Sequence, residues 1–354
     1  MSQLARVQAA MKEIGLDALL ISDIVNVQWI SGFTGSSGVV VVTPGAGHFI
    51  TDGRYDIQAK QQVSELEVHI FGGNLTQQDM IASVFADSSA KRVGFEPSVT
   101  FGQLEQWREK HSGVEFTSAG SLVSNLRKIK TEGEIAKITR ACEVADACMV
   151  HAMRMLQIGV SEIDIGLDIE FFFRRQGAAI GFEPIVASGP NSAKPHARPS
   201  ERRLEKGDFV TLDIGCILDG YASDFTRTFV IGEASERHVE IYNQVLQCQV
   251  AACEATVDGA NGRDIDALAR KILDEKDLNQ YYTHSLGHGL GRVVHDPGRL
   301  SVQADEAITL NQVWTIEPGV YIEGFGGVRI EDDVVVTKDG PLILTKTPKE
   351  LLVL

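Results

Sequence analysis

The stretch VTLDIGCILDGYASDFTRT, residues 210–228, contains two aspartates whose setting needs a chemical explanation. Asp213 lies inside an apolar, β-branched run that predicts a buried strand, and Asp224 follows on a second strand-like run. Between the runs, Asp219-Gly220 is a strong hairpin-turn signal, and a hairpin can bring the two carboxylates face to face. Aspartates on hairpins are usually exposed turn residues, but buried carboxylates need partners, and two of them repel unless a cation lies between them.

Histidines are concentrated in the segment THSLGHGLGRVVHD, residues 283–296, which holds His284, His288 and His295 among three glycines. Glycine beside a histidine lets backbone approach a ligand closely, and neutral imidazole is the commonest metal-binding side chain. A single histidine would be read as an ordinary core residue. Three with this spacing favour a binding site.

Two glutamates occupy equally apolar settings near the C-terminus. Glu317 ends a strand-like run in VWTIEPGVYI, and Glu331 lies in GGVRIEDDVVVT. Strand alternation places Arg329 on the same face as Glu331. The neighbouring Asp332 and Asp333 are alternatives to Glu331 in this interpretation.

Charge balance favours two bound cations. Four buried carboxylates carry four negative charges, which two divalent cations neutralise while an imidazole adds a neutral nitrogen, and a paired site of this kind activates water. Four oxygen ligands and one nitrogen suit Mn(II), with Co(II) and Zn(II) as alternatives by affinity order. The candidate metal ligands are Asp213, Asp224, His288, Glu317 and Glu331.

Composition excludes several classes of protein. The formal net charge of −15 argues against nucleic-acid and anionic-membrane partners, which need a basic surface. No apolar stretch approaches a membrane span and no signal-peptide core is present, so we expect a cytoplasmic protein. The five cysteines form no CxxC pair and are interpreted as buried hydrophobic residues rather than a thiol or zinc site.

The length of 354 residues predicts two domains. A helix followed by the strand-like runs LDALLIS, GVVVVT and GHFIT indicates a small α/β unit in the first third. Residues 121–156 then predict one long helix, and the domain boundary is expected near residues 125–130. Beyond it, helices, buried strands and a Gly/Pro-rich loop, residues 186–201, lead to the glutamate and histidine segments.

The ordered motifs LDIGCILDGYASDFTRT, HSLGHGLGRVVHD, IEPGVYI and GGVRIEDD resemble those of the pita-bread metallopeptidases, in the branch of the Xaa-Pro aminopeptidases and Xaa-Pro dipeptidases (prolidases). SGFTGSSG, TDGRY and LRKIKTEGEIAKI extend the resemblance over nearly the whole chain. It implies a fold of class α/β plus α+β. A small creatinase-N-like α/β domain, residues 1–126, would precede a pita-bread (creatinase/aminopeptidase-like) catalytic domain, residues 127–354.

The resemblance also implies roles for individual residues. Asp213 would bind one metal ion, His288 and Glu317 the other, and Asp224 and Glu331 would bridge both. A metal-bridging hydroxide would be the nucleophile and Glu317 its proton acceptor. Three further roles are expected: catalysis by His196 and His295, substrate binding by His284 and Arg299, and orientation of ligating carboxylates by Thr226 and Arg329.

Several functions stay open within this family. The sequence favours an aminopeptidase acting on peptides with proline at the second position. Arg299 keeps a strict Xaa-Pro dipeptidase as the alternative, since a guanidinium suits a dipeptide carboxylate. The N-terminal domain disfavours a methionyl aminopeptidase, and the complete ligand set disfavours creatinase-like enzymes and metal-free peptide-binding modules. A homodimer or higher homo-oligomer is expected.

Overall fold

The computed structural model describes all residues from Met1 to Leu354 and divides into two compact units, Met1–Arg127 and Lys128–Leu354. None of its helices combines the length and apolar character needed to cross a membrane.

The N-terminal unit is a six-stranded mixed sheet in the order β4-β3-β2-β1-β5-β6, with helices between the strands. Its strands β4 and β6 are the two edges of the sheet. The elements are α1 (Gln3–Glu13), β1 (Ala18–Ile21), α2 (Ile24–Ser31), β2 (Val39–Val42), β3 (Gly47–Asp52), α3 (Asp56–Gln62), β4 (Glu67–Phe71), α4 (Gln77–Asp87), β5 (Arg92–Phe95), α5 (Phe101–Lys110), β6 (Glu115–Ser118) and α6 (Leu122–Lys128).

The C-terminal unit contains two long helix pairs and several small antiparallel sheets, of which the three-stranded β12-β9-β8 and the five-stranded β14-β13-β15-β18-β19 carry most of the motifs. The elements are α7 (Glu132–Ala152), α8 (Glu162–Arg175), β7 (Ala179–Ile180), β8 (Ile185–Ser188), β9 (Phe209–Ile214), β10 (Cys216–Leu218), β11 (Tyr221–Ala222), β12 (Phe225–Val230), α9 (Glu236–Ala255), α10 (Gly262–Asp274), β13 (Gly287–Gly289), β14 (Asp296–Leu300), β15 (Val313–Ile316), β16 (Gly319–Ile322), β17 (Gly326–Arg329), β18 (Asp332–Thr337) and β19 (Gly340–Ile343).

Strand alternation separates the hydrophobic cores from the polar motifs. Leu212 and Ile214 of β9 pack into one core with α7 and α8, so Asp213 points to the opposite face. Trp314 and Ile316 of β15 pack into the other core with α9 and α10, which turns Glu317 away from it. The two helix pairs therefore cover the outer faces, and the charged residues gather on the inner ones.

Three local expectations differ from the structure. Residues 121–156 form two main helices rather than one, because Thr131 begins α7 with a capping box closed by Glu134. The segment 326–337 forms two strands in different sheets, with Ile330 and Glu331 between them. The Asp219-Gly220 turn closes the short β10–β11 hairpin, so Asp213 faces Thr226 across the ladder rather than Asp224.

The five cysteines are buried and form no disulfide. Burial raises the pKa of each thiol above its ordinary value, which keeps the thiols protonated and unreactive.

Candidate metal centre

One cavity of about 670 Å³ gathers nearly all of the sequence-predicted site residues. Its wall includes the end of β9, the residue just before β12, and the strands β13 and β14. The segments that follow β15 and β17 complete it. The predicted residues that line it are His196, Asp213, Asp224, His284, His288, His295, Arg299, Glu317, Arg329 and Glu331. Thr226 lies behind this wall, in hydrogen-bond contact with Glu331.

The potential metal donors converge within this cavity. Single donor atoms of Asp224, His288 and Glu331 all lie within 4.8 Å of one another. His288 Nε2 is 3.5 Å from an oxygen of Asp224 and 3.5 Å from an oxygen of Glu317. Asp213 lines the same cavity from β9, where its direct partner across the β9–β12 ladder is Thr226.

Backbone contacts orient the imidazole of His288. Nδ1 lies 3.1 Å from the carbonyl of Gly289, which assigns the ring hydrogen to Nδ1 and leaves a lone pair on Nε2 facing the carboxylates. Burial lowers the pKa of His288 to about 4, so the ring is neutral at neutral pH. Gly287 and Gly289 allow close packing against neighbouring backbone rather than the approach of a ligand. An added Cβ at Gly287 would lie 1.9 Å from Thr315 O, and one at Gly289 would lie 2.3 Å from Pro297 O.

The carboxylates destabilise one another in the absence of a cation. Burial, together with Glu331 and Asp213, raises the pKa of Asp224 well above its ordinary value. Burial and the charges of Glu317 and Asp213 raise the pKa of Glu331 in the same way. Burial raises the pKa of Glu317 to about 8, and Arg329 opposes this shift. The guanidinium of Arg329 alone therefore does not balance the charge of these carboxylates.

These observations fit a pair of divalent cations. Oδ1 of Asp213 is buried without a hydrogen-bond partner, although an unsatisfied buried acceptor costs about 1–3 kcal/mol. Clustered carboxylates with one neutral imidazole nitrogen form a donor set for a transition-series divalent ion. Bound cations would satisfy Asp213 Oδ1 and offset the mutual repulsion of the carboxylates.

Arg329 connects the donors on different strands. Its Nη2 donates to Asp213 Oδ2 at 2.6 Å, and its Nε donates to the hydroxyl of Thr226 at 3.0 Å. Thr226 in turn donates to Glu331 Oε2 at 2.6 Å. One buried guanidinium thus orients two of the predicted metal ligands, directly and through Thr226.

His284 contacts another residue beside the cavity that it lines. Its Nδ1 lies 2.8 Å from the carbonyl of Ser285, and its Nε2 lies 2.9 Å from the hydroxyl of Tyr321. Tyr321 also accepts a hydrogen bond from Arg329 Nη1 at 2.8 Å. These contacts indicate that His284 holds Tyr321 and, through it, Arg329, and the predicted substrate contact of His284 stays a prediction.

His196 and His295 are exposed at the cavity wall and lie outside the cluster of closely spaced donor atoms. The ring of His295 lies 4.3 Å from that of His288, centre to centre. Partial desolvation lowers the pKa of His295, and His196 and Arg299 add to the effect. A neutral imidazole at this position can donate a hydrogen bond from a ring N–H.

The loop that carries His196 is fastened by a buried carboxylate. Glu162, at the start of α8, accepts hydrogen bonds from the backbone N–H and hydroxyl of Ser188 at 2.7 and 2.6 Å. It also accepts from the backbone N–H and hydroxyl of Ser200 at 3.1 and 2.6 Å. The two ends of the loop are thereby joined at one side chain.

Neither Asp332 nor Asp333 replaces Glu331. Asp332 is paired with Arg227 and Lys349 at 2.7 Å each, away from the cavity. Asp333 accepts a hydrogen bond from the backbone N–H of Asp224 at 3.0 Å, so it supports a predicted ligand from behind.

Sequence reasoning missed Glu162, Thr315 and Tyr321. Thr315 receives the backbone N–H of His288 at 3.0 Å, and its hydroxyl lies 3.3 Å from Glu317. The two-residue spacing of Thr315 and Glu317 was a usable signal, since it places both on one face of a strand. Nothing local marks Glu162 or Tyr321.

Family models match both units of the chain. Residues 136–338 match the model of metallopeptidase family M24, and residues 3–129 match that of the creatinase/prolidase N-terminal domain. These matches confirm the resemblance and the two-domain pita-bread fold inferred from the motifs.

The similarity to known proteins covers nearly the whole chain. An uncharacterized peptidase of Bacillus subtilis is 40% identical over 344 residues, covering 97% of each chain. The structure of an Xaa-Pro dipeptidase from Bacillus anthracis is 39% identical, with a TM-score of 0.95 and 99% of each chain covered. That of an X-Pro aminopeptidase from Thermotoga maritima is 34% identical, with a TM-score of 0.91, covering 98% of this chain and all of the other.

Proposed function

Because the chain belongs to metallopeptidase family M24, we propose that it is a dinuclear metal-dependent exopeptidase that cleaves Xaa-Pro dipeptides. Its relatives place it among the prolidase-like peptidases of that family. The preference for dipeptides over longer peptides reverses the preference drawn from the sequence.

The observation that carries this choice is the position of Arg299. It lies directly opposite His288 in the β13–β14 ladder and lines the same cavity as the carboxylates. Its guanidinium has no hydrogen bond or ion pair within the chain, so it is available to a ligand. A guanidinium binds a carboxylate through two parallel hydrogen bonds, and the free carboxylate of a dipeptide lies one residue from the scissile bond.

Five side chains would hold the cations: Asp213, Asp224, His288, Glu317 and Glu331. When bound, two divalent cations supply polarisation of the scissile carbonyl and a lowered pKa for an attacking water molecule. We favour Mn(II), with Co(II) and Zn(II) as alternatives, because the donor set is mainly oxygen.

Proton transfer falls to Glu317. The nitrogen of an Xaa-Pro bond carries no hydrogen, and it must gain one to leave as an amine. Glu317 lies in the wall of the cavity beside the other donors, where a carboxylate can accept a proton from water and return it to that nitrogen. Thr315, 3.3 Å from Glu317 Oε1, orients the carboxylate.

His295 and His196 would stabilise the charge that develops on the carbonyl oxygen. Both lie at the cavity wall outside the ligand set, and the lowered pKa of His295 keeps it a neutral N–H donor. Preorganised donors of this kind act mainly on the transition state.

Aminopeptidase activity is the second candidate function. The cavity volume of about 670 Å³ falls within the roughly 300–1,000 Å³ typical of pockets for larger small-molecule ligands, so it has room for residues beyond a dipeptide. A homodimer or higher homo-oligomer is compatible with either activity.

Steady-state kinetics on Xaa-Pro and Xaa-Pro-Yaa with Mn(II)-loaded protein tests the proposal. We expect kcat/KM for the dipeptide to exceed that for the tripeptide by at least tenfold. Efficient tripeptide cleavage would reject the dipeptidase in favour of the aminopeptidase, and equal cleavage of Xaa-Ala would reject proline selectivity.

A further inference from the structure

A second group of metal-type donors lies in the N-terminal unit, on the neighbouring strands β3 and β4. The strands are parallel, with His48 opposite Glu67 and Ile50 opposite His69. Because side chains alternate along a strand, Glu67 and His69 project from one face of β4, and His48 joins them from β3.

The spacing of the three donors matches the edges of a coordination polyhedron. His48 Nδ1 is 3.1 Å from His69 Nε2 and 3.3 Å from Glu67 Oε2, and the last two atoms are 3.9 Å apart. Ligands of a tetrahedral zinc ion with bonds of about 2.0–2.2 Å lie roughly 3.3–3.5 Å from each other. The three atoms can therefore contact one ion with small side-chain adjustments.

Hydrogen bonding alone does not satisfy this arrangement. Burial lowers the pKa of His48, against the opposing charges of Glu67 and Asp87, so its ring is neutral at neutral pH. A neutral imidazole has at most one hydrogen at Nδ1, while Nδ1 of His48 faces both a nitrogen of His69 and an oxygen of Glu67. A cation would interact favourably with all three atoms.

We propose that His48, Glu67 and His69 bind one divalent transition-metal ion of the zinc class, at a site separate from the candidate metal centre. The side chains of His48, His69 and Glu67 are 15%, 31% and 65% exposed, so an ion can enter from solvent and keep a water molecule in its remaining position. The ion would fasten β4, an edge of the six-stranded sheet, to β3. This site does not depend on the proposed peptidase activity.

The test is equilibrium dialysis of the full-length protein against Zn²⁺, followed by measurement of zinc per chain. The variants are His69→Gln and Glu67→Gln, with Glu115→Gln as the matched control. Glu115, like Glu67, is an exposed glutamate at the first position of an edge strand. Its strand is β6, at the other edge of the sheet from β4. All three variants keep the candidate metal centre, so differences between them report only the N-terminal site.

We expect the wild type and Glu115→Gln to bind one more zinc ion per chain than His69→Gln. Glu67→Gln should bind that ion at least tenfold more weakly, because two imidazoles remain without the carboxylate. Equal zinc content and affinity in all four proteins would overturn the proposal and leave the cluster as a hydrogen-bonded contact within the sheet. Since Glu67 is exposed, Glu67→Gln decides the question even if His69→Gln does not fold.

Discussion

Arg329 donates to Asp213 at 2.6 Å across a sequence separation of 116 residues, and this contact holds one carboxylate oxygen while the other stays buried without a partner. The guanidinium therefore presents Asp213 to the cavity with a free oxygen. The same side chain reaches Glu331 through Thr226, so the geometry of two predicted ligands depends on it.

Arg329→Lys should weaken metal binding roughly 10- to 100-fold, the usual cost of losing a group that orients metal ligands. Lysine keeps the positive charge but cannot donate to Asp213, Thr226 and Tyr321 at once. Calorimetric titration with Mn(II) measures the effect. Unchanged Mn(II) affinity would show that a positive charge at position 329 is enough for metal binding and that the hydrogen-bond geometry of the guanidinium is not needed.

Asp224→Ala and Glu331→Ala should each abolish both metal binding and peptidase activity, because each carboxylate is expected to contact two cations. Metal stoichiometry and turnover are to be measured together, with Glu323→Ala as the control for removal of an exposed acidic residue. Wild-type turnover in either variant would contradict the two-metal proposal.

His295→Ala and His196→Ala should keep their metal ions and lose turnover by roughly 100-fold or more, as when a transition-state hydrogen-bond donor is removed. Neither side chain belongs to the converging ligand set. If either variant loses metal in proportion to its activity, that histidine is a ligand instead.

Arg299→Ala should raise KM for Xaa-Pro dipeptides by roughly 10- to 100-fold, since a charge-assisted hydrogen bond is worth about 1.5–3 kcal/mol. Tripeptides should be little affected, because their carboxylate lies elsewhere. Arg198→Ala is the matched control, an exposed arginine of the same cavity that is paired with Glu183 at 3.2 Å. Equal losses on both substrates would remove the role of Arg299 in carboxylate recognition.

Metal-free protein should become less stable as pH rises from 7 to 9, a range in which the buried histidines are already neutral in both the folded and the unfolded chain. The pKa of Glu317 in the folded protein is about 8, against an ordinary value of 4.5, so the folded state binds more protons between these values. The contribution to stability is present below pH 4.5 and lost as pH rises through about 8, and the raised pKa values of Asp224 and Glu331 act in the same direction.

Thermal unfolding of chelator-treated protein at several pH values measures this effect. We expect a lower melting temperature at pH 9 than at pH 7, and Mn(II) should reduce the difference by balancing the carboxylates. A melting temperature that rises over this range without metal would contradict the assigned shifts.

Much of the architecture could be predicted from local sequence patterns. The strand Phe209–Ile214 matches the apolar run that made Asp213 anomalous, and α1, β1, β2 and β3 fall on the predicted segments. Alternation within a strand is a local property, so the face on which Asp213 lies follows from its neighbours alone. The start of α7 also has a local signal, because Thr131 and Glu134 form a capping box there.

The sequence by itself determined which side chains have the chemistry to bind metal, because carboxylates and histidines in apolar runs are recognisable without coordinates. Only the tertiary structure decided between Glu331 and its neighbours, since the chain changes sheets there and directs Asp332 to Arg227 instead. It likewise decided that His284 supports Tyr321 and that Arg299 faces the cavity. These choices depend on contacts between residues far apart in the chain, which arise from packing and leave no local pattern.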